Sequence, residues 1–88
     1  MDKICIIGLG YVGLPLAHAF SEKYPVVGFD INKARVDELN SGFDRTQELT
    51  SEQVKESLSN GMKFTLDVED IKDSNIYIVT VPTPIDNT

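Results

Sequence analysis

Residues 3–30, KICIIGLGYVGLPLAHAFSEKYPVVGFD, contain the pattern that decides the fold of this chain. An apolar run, ICII, leads into three glycines spaced G-x-G-x-x-G, and a second apolar run, VVGF, ends on Asp30. The glycines are Gly8, Gly10 and Gly13. Short apolar runs bounded by glycine or proline predict buried strands, and the longer segment between them predicts a helix. Strand, glycine turn, helix, strand and acid, in this order, predict a dinucleotide-binding βαβ unit.

Each glycine has a separate steric task in such a unit. Gly8 permits a sharp turn out of the first strand, Gly10 lets the backbone approach a pyrophosphate, and Gly13 lets the helix lie close to the sheet. The pyrophosphate would lie at the helix N-terminus, where the helix dipole favours an anion. The Asp30 carboxylate would accept hydrogen bonds from both adenosine ribose hydroxyls and repel a 2′-phosphate, so NAD is favoured over NADP.

Composition limits the classes of protein to which the chain can belong. The length of 88 residues predicts one small domain, residues 1–88. The formal net charge of −6 argues against nucleic acid or an anionic membrane as partner. No apolar run reaches the length of a membrane span, which favours a cytoplasmic protein. The single cysteine, Cys5, excludes an internal disulfide, and we expect it to be a buried, inert thiol with a raised pKa.

Three helices are predicted from the apolar periodicity. In the first, over 11–22, Val12, Leu16 and Phe20 should form a buried stripe with Ala19 beside it.

The second and third helices have recognisable start signals. Asn32 is a predicted N-cap for a helix whose Val36 and Leu39 face inward. Thr50 or Ser51 would cap the third helix.

Two further strands follow, at 62–66 with Phe64 and Leu66 inward, and at 76–81. The continuous apolarity of the last strand predicts a central strand covered on both faces. The class is therefore α/β: a Rossmann-like parallel sheet with helices on both faces, the first half of a dinucleotide-binding domain. Right-handed crossovers give the strand order 3-2-1-4.

That order brings the end of the fourth strand beside the glycine loop. The strand is followed by Pro82-Thr83-Pro84, which cannot continue a ladder. A cofactor bound on the glycine loop should therefore touch Thr83.

Four motifs carry a resemblance to a known family: GLGYVGLP at 8–15, FDIN at 29–32, VDELNSG at 36–42 and VPTP at 81–84. With them the chain resembles the nucleotide-sugar dehydrogenases, the family of UDP-glucose and GDP-mannose 6-dehydrogenases. GFDRTQEL, after the second helix, and the closing TVPTPID are more similar to the branch acting on UDP-N-acetylhexosamines. Enzymes of capsular and Vi-type polysaccharide biosynthesis belong to that branch.

The resemblance implies oxidation of the C6 alcohol of a UDP-sugar to a carboxylate. Two hydrides would pass to NAD⁺, through a thiohemiacetal and a thioester on a cysteine, in a cytoplasmic homo-oligomer. Carried over position by position, it implies a set of cofactor-binding residues: the pyrophosphate loop Gly8, Gly10 and Gly13, the backbone N–H groups of Tyr11 and Val12, the ribose acid Asp30, the basic residue Arg35 near the adenosine, and Thr83.

Catalytic residues are not expected within this chain. Members of the family are several times longer, and their catalytic cysteine, lysine, asparagine and aspartate lie well beyond residue 88. Cys5, buried in a strand, cannot replace the nucleophile. The resemblance therefore implies an N-terminal fragment without dehydrogenase activity of its own.

No metal site is predicted either. His18 has no Cys, Asp or second His at ligand spacing, which favours a surface or edge position. The acids at 67–73 are typical of a solvated face.

Two other functions remain open on the sequence. A dehydrogenase of the 6-phosphogluconate or 3-hydroxyacid type shares this first half. Such enzymes more often read a 2′-phosphate with basic residues, and Asp30 argues against that type. A non-enzymatic NAD-sensing regulatory domain, such as those that gate potassium transport, fits the glycine loop but has no need of Pro82-Thr83-Pro84.

Overall fold

The computed structural model describes residues 2–80, which form a parallel sheet flanked by helices. The elements in chain order are β1 (Ile4–Ile7), α1 (Gly13–Ser21), β2 (Val26–Phe29), α2 (Lys33–Asn40), α3 (Ser51–Ser59), β3 (Lys63–Thr65), a 3₁₀ turn (Val68–Ile71) and β4 (Ile76–Val79). Every strand pairing is parallel, and the order is β3-β2-β1-β4. The predicted α/β class and the strand order 3-2-1-4 are confirmed.

The strands alternate their side chains between two faces of the sheet. On one face, Ile4, Ile6 and Phe64 belong to a core that also contains the apolar residues of α1, α2 and α3. On the other face, Cys5 and Val27 are buried with the 3₁₀ turn packed nearby. The three α-helices therefore share one face, and the short 3₁₀ turn covers part of the other.

Helix α1 meets the sheet through its smallest side chains. Its buried residues are Gly13, Leu14, Ala17 and Ser21. Three of these, spaced four apart, carry little or no side chain, so the helix axis can lie close to the sheet. Leu14 fills the remaining space in the core.

The predicted stripe of α1 is wrong. Val12 is 66% exposed, Ala19 is exposed, and Leu16 and Phe20 are only half-buried at the border of the core. The apolar periodicity gave the wrong face for two reasons. The helix begins only at Gly13, after a turn, and its close approach to the sheet places the small residues on the inward face.

Both predicted caps are present. The Asn32 side chain accepts a hydrogen bond from the Arg35 N–H at 3.2 Å. At the start of α3 the Thr50 hydroxyl accepts from the Gln53 N–H at 3.1 Å, and Gln53 Oε1 accepts from the Thr50 N–H at 2.9 Å. This reciprocal pair is a capping box, and it settles the choice between Thr50 and Ser51.

The last two strands depart from expectation. Leu66 was expected to face inward but is 44% exposed, because β3 ends at Thr65 and its hydroxyl accepts the Asp67 N–H in a turn. The expectation of a covered central β4 is also wrong for residues 2–80, where β4 pairs only with β1 and Tyr77 and Val79 are exposed. The apolar sequence of β4 indicates that the strand favours burial, but it does not show that a covering strand or helix is present among residues 2–80.

Gly13→Ala should destabilise the fold, because a Cβ there would overlap the Gly8 carbonyl and the Thr80 hydroxyl. We expect the free energy of unfolding, measured in urea, to fall by about 2–3 kcal/mol. Gly10→Ala is the matched control, since a Cβ at Gly10 meets no atom within 4 Å, and it should change the same quantity by less than about 0.5 kcal/mol. Equal losses for the two variants would contradict this steric reading.

Candidate functional site

The glycine loop is held where the strands end. Gly8 has φ +102°, a conformation that disfavours any side chain, and its N–H donates to the Phe29 carbonyl at 2.8 Å. Thr80, directly after β4, donates its N–H to the Ile7 carbonyl and its hydroxyl to the Gly8 carbonyl, both at 2.8 Å. The end of β4 therefore lies beside the glycine loop, as the strand order predicted.

The N-terminal end of α1 lies open in front of this loop. Its N-cap residue, Val12, makes no side-chain cap, and Tyr11 and Val12 are both exposed. Space also lies open around Gly10, where an added Cβ would find no atom within 4 Å. An uncapped helix N-terminus with free space before it suits an anionic group, because the unpaired N–H groups and the helix dipole both favour negative charge.

The Asp30 carboxylate is fixed beside the loop by two backbone donors. Its Oδ2 accepts from the Leu9 N–H and its Oδ1 from the Asn32 N–H, each at 2.9 Å. A carboxylate has about four acceptor positions, so two remain for a ligand. Because Asp30 is only half-buried, those positions are accessible to hydroxyl groups.

Arg35 is not the exposed helix residue that its position in α2 would suggest. It is only 5% exposed, and its Nε donates to the Leu9 carbonyl at 2.7 Å. Its Nη1 donates to Glu38 at 3.0 Å and to Asp44 at 2.8 Å. Within the described residues its Nη2 is buried without a hydrogen-bond partner. A buried donor without a partner costs free energy, so a ligand acceptor at this point would relieve it.

Asp44 holds the loop beside the site, and the sequence reasoning missed it. Its side chain is fully buried, in the loop after α2, and it joins Arg35, Thr46 and Leu49. Burial alone would raise its pKa. The hydroxyl of Thr46, the N–H of Leu49, the Arg35 guanidinium and the N–H of Thr46 outweigh burial and lower the pKa of Asp44 to about 2. The loop is thereby fastened to the glycine turn through the Arg35 side chain.

A cleft of about 450 Å³ runs between the glycine loop, the end of β2 and this fastened loop. Four of the sequence-predicted residues line it, Gly8, Gly10, Asp30 and Arg35, whereas Tyr11, Val12 and Gly13 do not. Its full lining is Ile7, Gly8, Leu9, Gly10, Phe29, Asp30, Ile31, Asn32, Arg35, Arg45 and Thr46. Arg45 and Thr46 belong to the GFDRTQEL motif, the sequence feature from which this side of the cleft could have been predicted.

Thr83 lies outside the described residues, so its contact with a cofactor stays a prediction. Thr80, three positions earlier, has a structural contact with the glycine loop.

The remaining titratable residues near the sheet behave as the sequence suggested. Cys5 is fully buried, and burial raises the pKa of its thiol more than nearby Lys3 lowers it. In the acidic segment, Asp70 pairs with Lys63 at 3.0 Å and Asp73 with Lys3 at 2.9 Å. These acids are an ion-paired surface.

Comparison with known proteins agrees with this geometry. Residues 2–88 match the model of the UDP-glucose/GDP-mannose dehydrogenase family, NAD binding domain. The chain belongs to this family. The membership confirms the predicted family and NAD as the cofactor of the domain, and it favours this reading over the two alternatives left open by the sequence.

Individual relatives point the same way. The chain is 55% identical over 83 residues to the UDP-N-acetyl-D-glucosamine 6-dehydrogenase of Salmonella typhi, covering 94% of this chain and 19% of that protein. It is 50% identical over 84 residues to the Pseudomonas aeruginosa enzyme of the same name, covering 96% and 19%. The solved UDP-D-ManNAc dehydrogenase of Pyrococcus horikoshii matches with a TM-score of 0.85 at 39% identity, covering 96% and 21%. The chain thus spans about a fifth of the length of these relatives.

The Asp44 carboxylate should make folding stability depend on pH in the acid range. Its pKa falls from 3.8 to about 2 on folding, so its contribution is complete above pH 4 and is lost as pH drops towards 2. That contribution is about 2 kcal/mol. Asp44→Asn should lower the free energy of unfolding at neutral pH by about this amount and flatten its decline between pH 4 and 2.

The control for this measurement is Asp37→Asn, which alters an exposed carboxylate on α2 paired with Lys33. Its unfolding curves should keep the acid decline of the parent chain. If Asp44→Asn also keeps that decline, the buried carboxylate is not its source.

Proposed function

We propose that this chain is the NAD-binding part of a UDP-sugar 6-dehydrogenase that acts on a UDP-N-acetylhexosamine. The complete enzyme would oxidise the C6 alcohol to a carboxylate with two NAD⁺, for polysaccharide or capsule biosynthesis in the cytoplasm. The observation that carries the proposal is the Asp30 carboxylate, fixed by two backbone donors at the edge of the cleft beside an uncapped helix end. The names of the two bacterial relatives support the substrate class.

The residues around the cleft suit, one after another, the pyrophosphate, the adenosine ribose and the adenosine side of NAD. The open space at Gly10 and the start of α1, with the N–H groups of Tyr11 and Val12, would take the pyrophosphate. Asp30 would accept the two hydroxyls of the adenosine ribose. The unpartnered Nη2 of Arg35 would donate to an acceptor on the adenosine side. When bound, NAD⁺ supplies the hydride acceptor of the reaction.

The charges around the cleft support NAD over NADP. A 2′-phosphate would approach the Asp30 carboxylate and be repelled by it. Two arginines line the cleft, and both are paired. Arg35 lies within 3.0 Å of Glu38 and Asp44, and Arg45 lies 3.4 Å from Glu38. The cleft therefore recognises a ribose with free hydroxyls better than a phosphorylated one.

The chemical step is assigned to parts of the enzyme that this chain does not contain. Within residues 2–80 the one thiol, Cys5, is sealed in the sheet with a raised pKa, which keeps it from acting as a nucleophile. The 88 residues would bind NAD, with Thr83 as a further contact. The UDP-sugar site, the catalytic groups and the homo-oligomer contacts would belong to the longer protein.

Asp30→Asn should weaken NAD⁺ binding and reduce the discrimination against NADP⁺. Loss of a charged acceptor costs about 1.5–3 kcal/mol, so the dissociation constant for NAD⁺ should rise by about tenfold or more. Calorimetric titration of the 88-residue chain with each cofactor measures both effects. Asp37→Asn is the matched control, an exposed aspartate outside the cleft, and it should bind NAD⁺ as the parent chain does.

Equal affinity of the parent chain for NAD⁺ and NADP⁺ would contradict the role given to Asp30. Unchanged NAD⁺ affinity in Asp30→Asn, with the fold intact by circular dichroism, would contradict it as well.

The 88-residue chain should produce no NADH when it is incubated with NAD⁺ and UDP-N-acetylglucosamine. The reason is that the only thiol of the chain, Cys5, is buried, and that we assign the catalytic residues to the longer protein. The measurement is absorbance of the reduced nicotinamide, with a complete UDP-N-acetylglucosamine 6-dehydrogenase as the positive control. Turnover by the chain that disappears in Cys5→Ser would overturn this assignment.

A further inference from the structure

A group of metal-ligating side chains lies at the opposite end of α1 from the glycine loop. His18 is on α1, Glu22 follows its last residue, and Glu56 is on α3. One ligand atom from each residue lies within 4.8 Å of those of the other two. His18 and Glu22 are four positions apart in the sequence, but Glu56 is brought to His18 only by the packing of α3 against α1.

The hydrogen bonds behind His18 fix which ring nitrogen faces the group. His18 Nδ1 lies 2.6 Å from the Ser57 hydroxyl, which also lies 3.1 Å from the Gln53 carbonyl. Because Nδ1 is engaged with Ser57, Nε2 is the ring nitrogen that faces the group. It lies 3.8 Å from Glu56 Oε1. Metal-binding histidines are commonly oriented in this way by a partner on their other nitrogen.

The charges at this end of α1 also favour a cation. Within residues 2–80, neither Glu22 nor Glu56 has a lysine or arginine within ion-pair distance, unlike Glu38, Asp44 and Asp70. The C-terminal end of a helix carries partial negative charge, so the carboxylate of Glu22 is unfavourably placed without a counter-charge. A divalent ion would compensate the negative charge of both carboxylates and of the helix end.

We propose that His18, Glu22 and Glu56 bind a divalent transition-metal ion, with Zn²⁺ as the best-suited ion, at a site separate from the cofactor cleft. One imidazole and two carboxylates are ligands that Zn²⁺ accepts, and water would complete a tetrahedral shell. Ligand atoms in such a shell are about 3.4 Å apart at metal–ligand distances near 2.1 Å. The two glutamates are exposed and can rotate inward by the small distance required, while His18, with only 12% of its side chain exposed, stays in place.

The bound ion would join α3 to α1. Their contact is otherwise made by apolar packing and the bond from His18 to Ser57. A ligand that binds only the folded state raises its stability, so the ion would make the thermal midpoint of the chain depend on its concentration.

The test uses the fact that His18 is the only histidine in the chain. Titration of the 88-residue chain with Zn²⁺ should show one saturable site by calorimetry and raise the thermal midpoint. Nitrogen-15 NMR of the single imidazole should show a change at Nε2 on addition of Zn²⁺. The buried Cys5 does not compete for the ion.

Glu22→Gln and Glu56→Gln remove one carboxylate each at exposed positions, so the fold should be kept. Each should weaken Zn²⁺ binding by about tenfold or more. Glu52→Gln is the matched control, an exposed glutamate on α3 outside the group, and it should bind as the parent does.

Three results would overturn the proposal: no saturable Zn²⁺ binding, binding that leaves the His18 nitrogens unchanged, or binding unaffected by both Gln variants.

Discussion

The close contact between Gly13 and the Gly8 carbonyl is the constraint on which the rest of the structure depends. A Cβ at Gly13 would overlap that carbonyl and the hydroxyl of Thr80, so α1, the glycine loop and the end of β4 can meet only with glycine there. This contact selects Gly13, Ala17 and Ser21 as the inward face of α1. It also sets the N-terminal end of the helix over the carboxyl ends of the strands, where an anion can approach it.

A second constraint is the burial of one positive charge. Arg35 ties α2 to the Leu9 carbonyl in the glycine loop and, through Asp44, to the loop after α2. Removing a guanidinium from water is costly unless it is paired, and Glu38 and Asp44 provide that pairing. The same pairing neutralises a cation that would otherwise attract a phosphate. The wall of the cleft thus depends on one ion-paired side chain.

The fold could be predicted from the sequence because its signals are local. Glycine spacing, apolar runs and the caps at Asn32 and Thr50 each act within a few residues. What could not be predicted depends on distant contacts. Gly13 also lies against Thr80, at the far end of the described chain, and Arg35 is buried against a loop carboxylate nine positions later. Asp30 was found because a strand, a turn and an acid are adjacent in sequence, whereas Asp44 has no such pattern.

The anion proposed at the start of α1 and the cation proposed at its end would lie at opposite ends of this helix, and its length decides whether they interact. Its nine residues span about 13 Å at 1.5 Å per residue. Screening at physiological ionic strength acts over about 8 Å, so charge at His18 has little direct effect on an anion beside Gly10. Any coupling between the two ends has to pass through packing. Ala17 and Leu14 join α1 to the core beside Val54 of α3, so a shift of α3 would be transmitted to the glycine loop only by moving α1 as a rigid body. Gly13 already lies against Gly8 and Thr80 with no room for a Cβ, so the packing at this end of α1 leaves little space for such a movement.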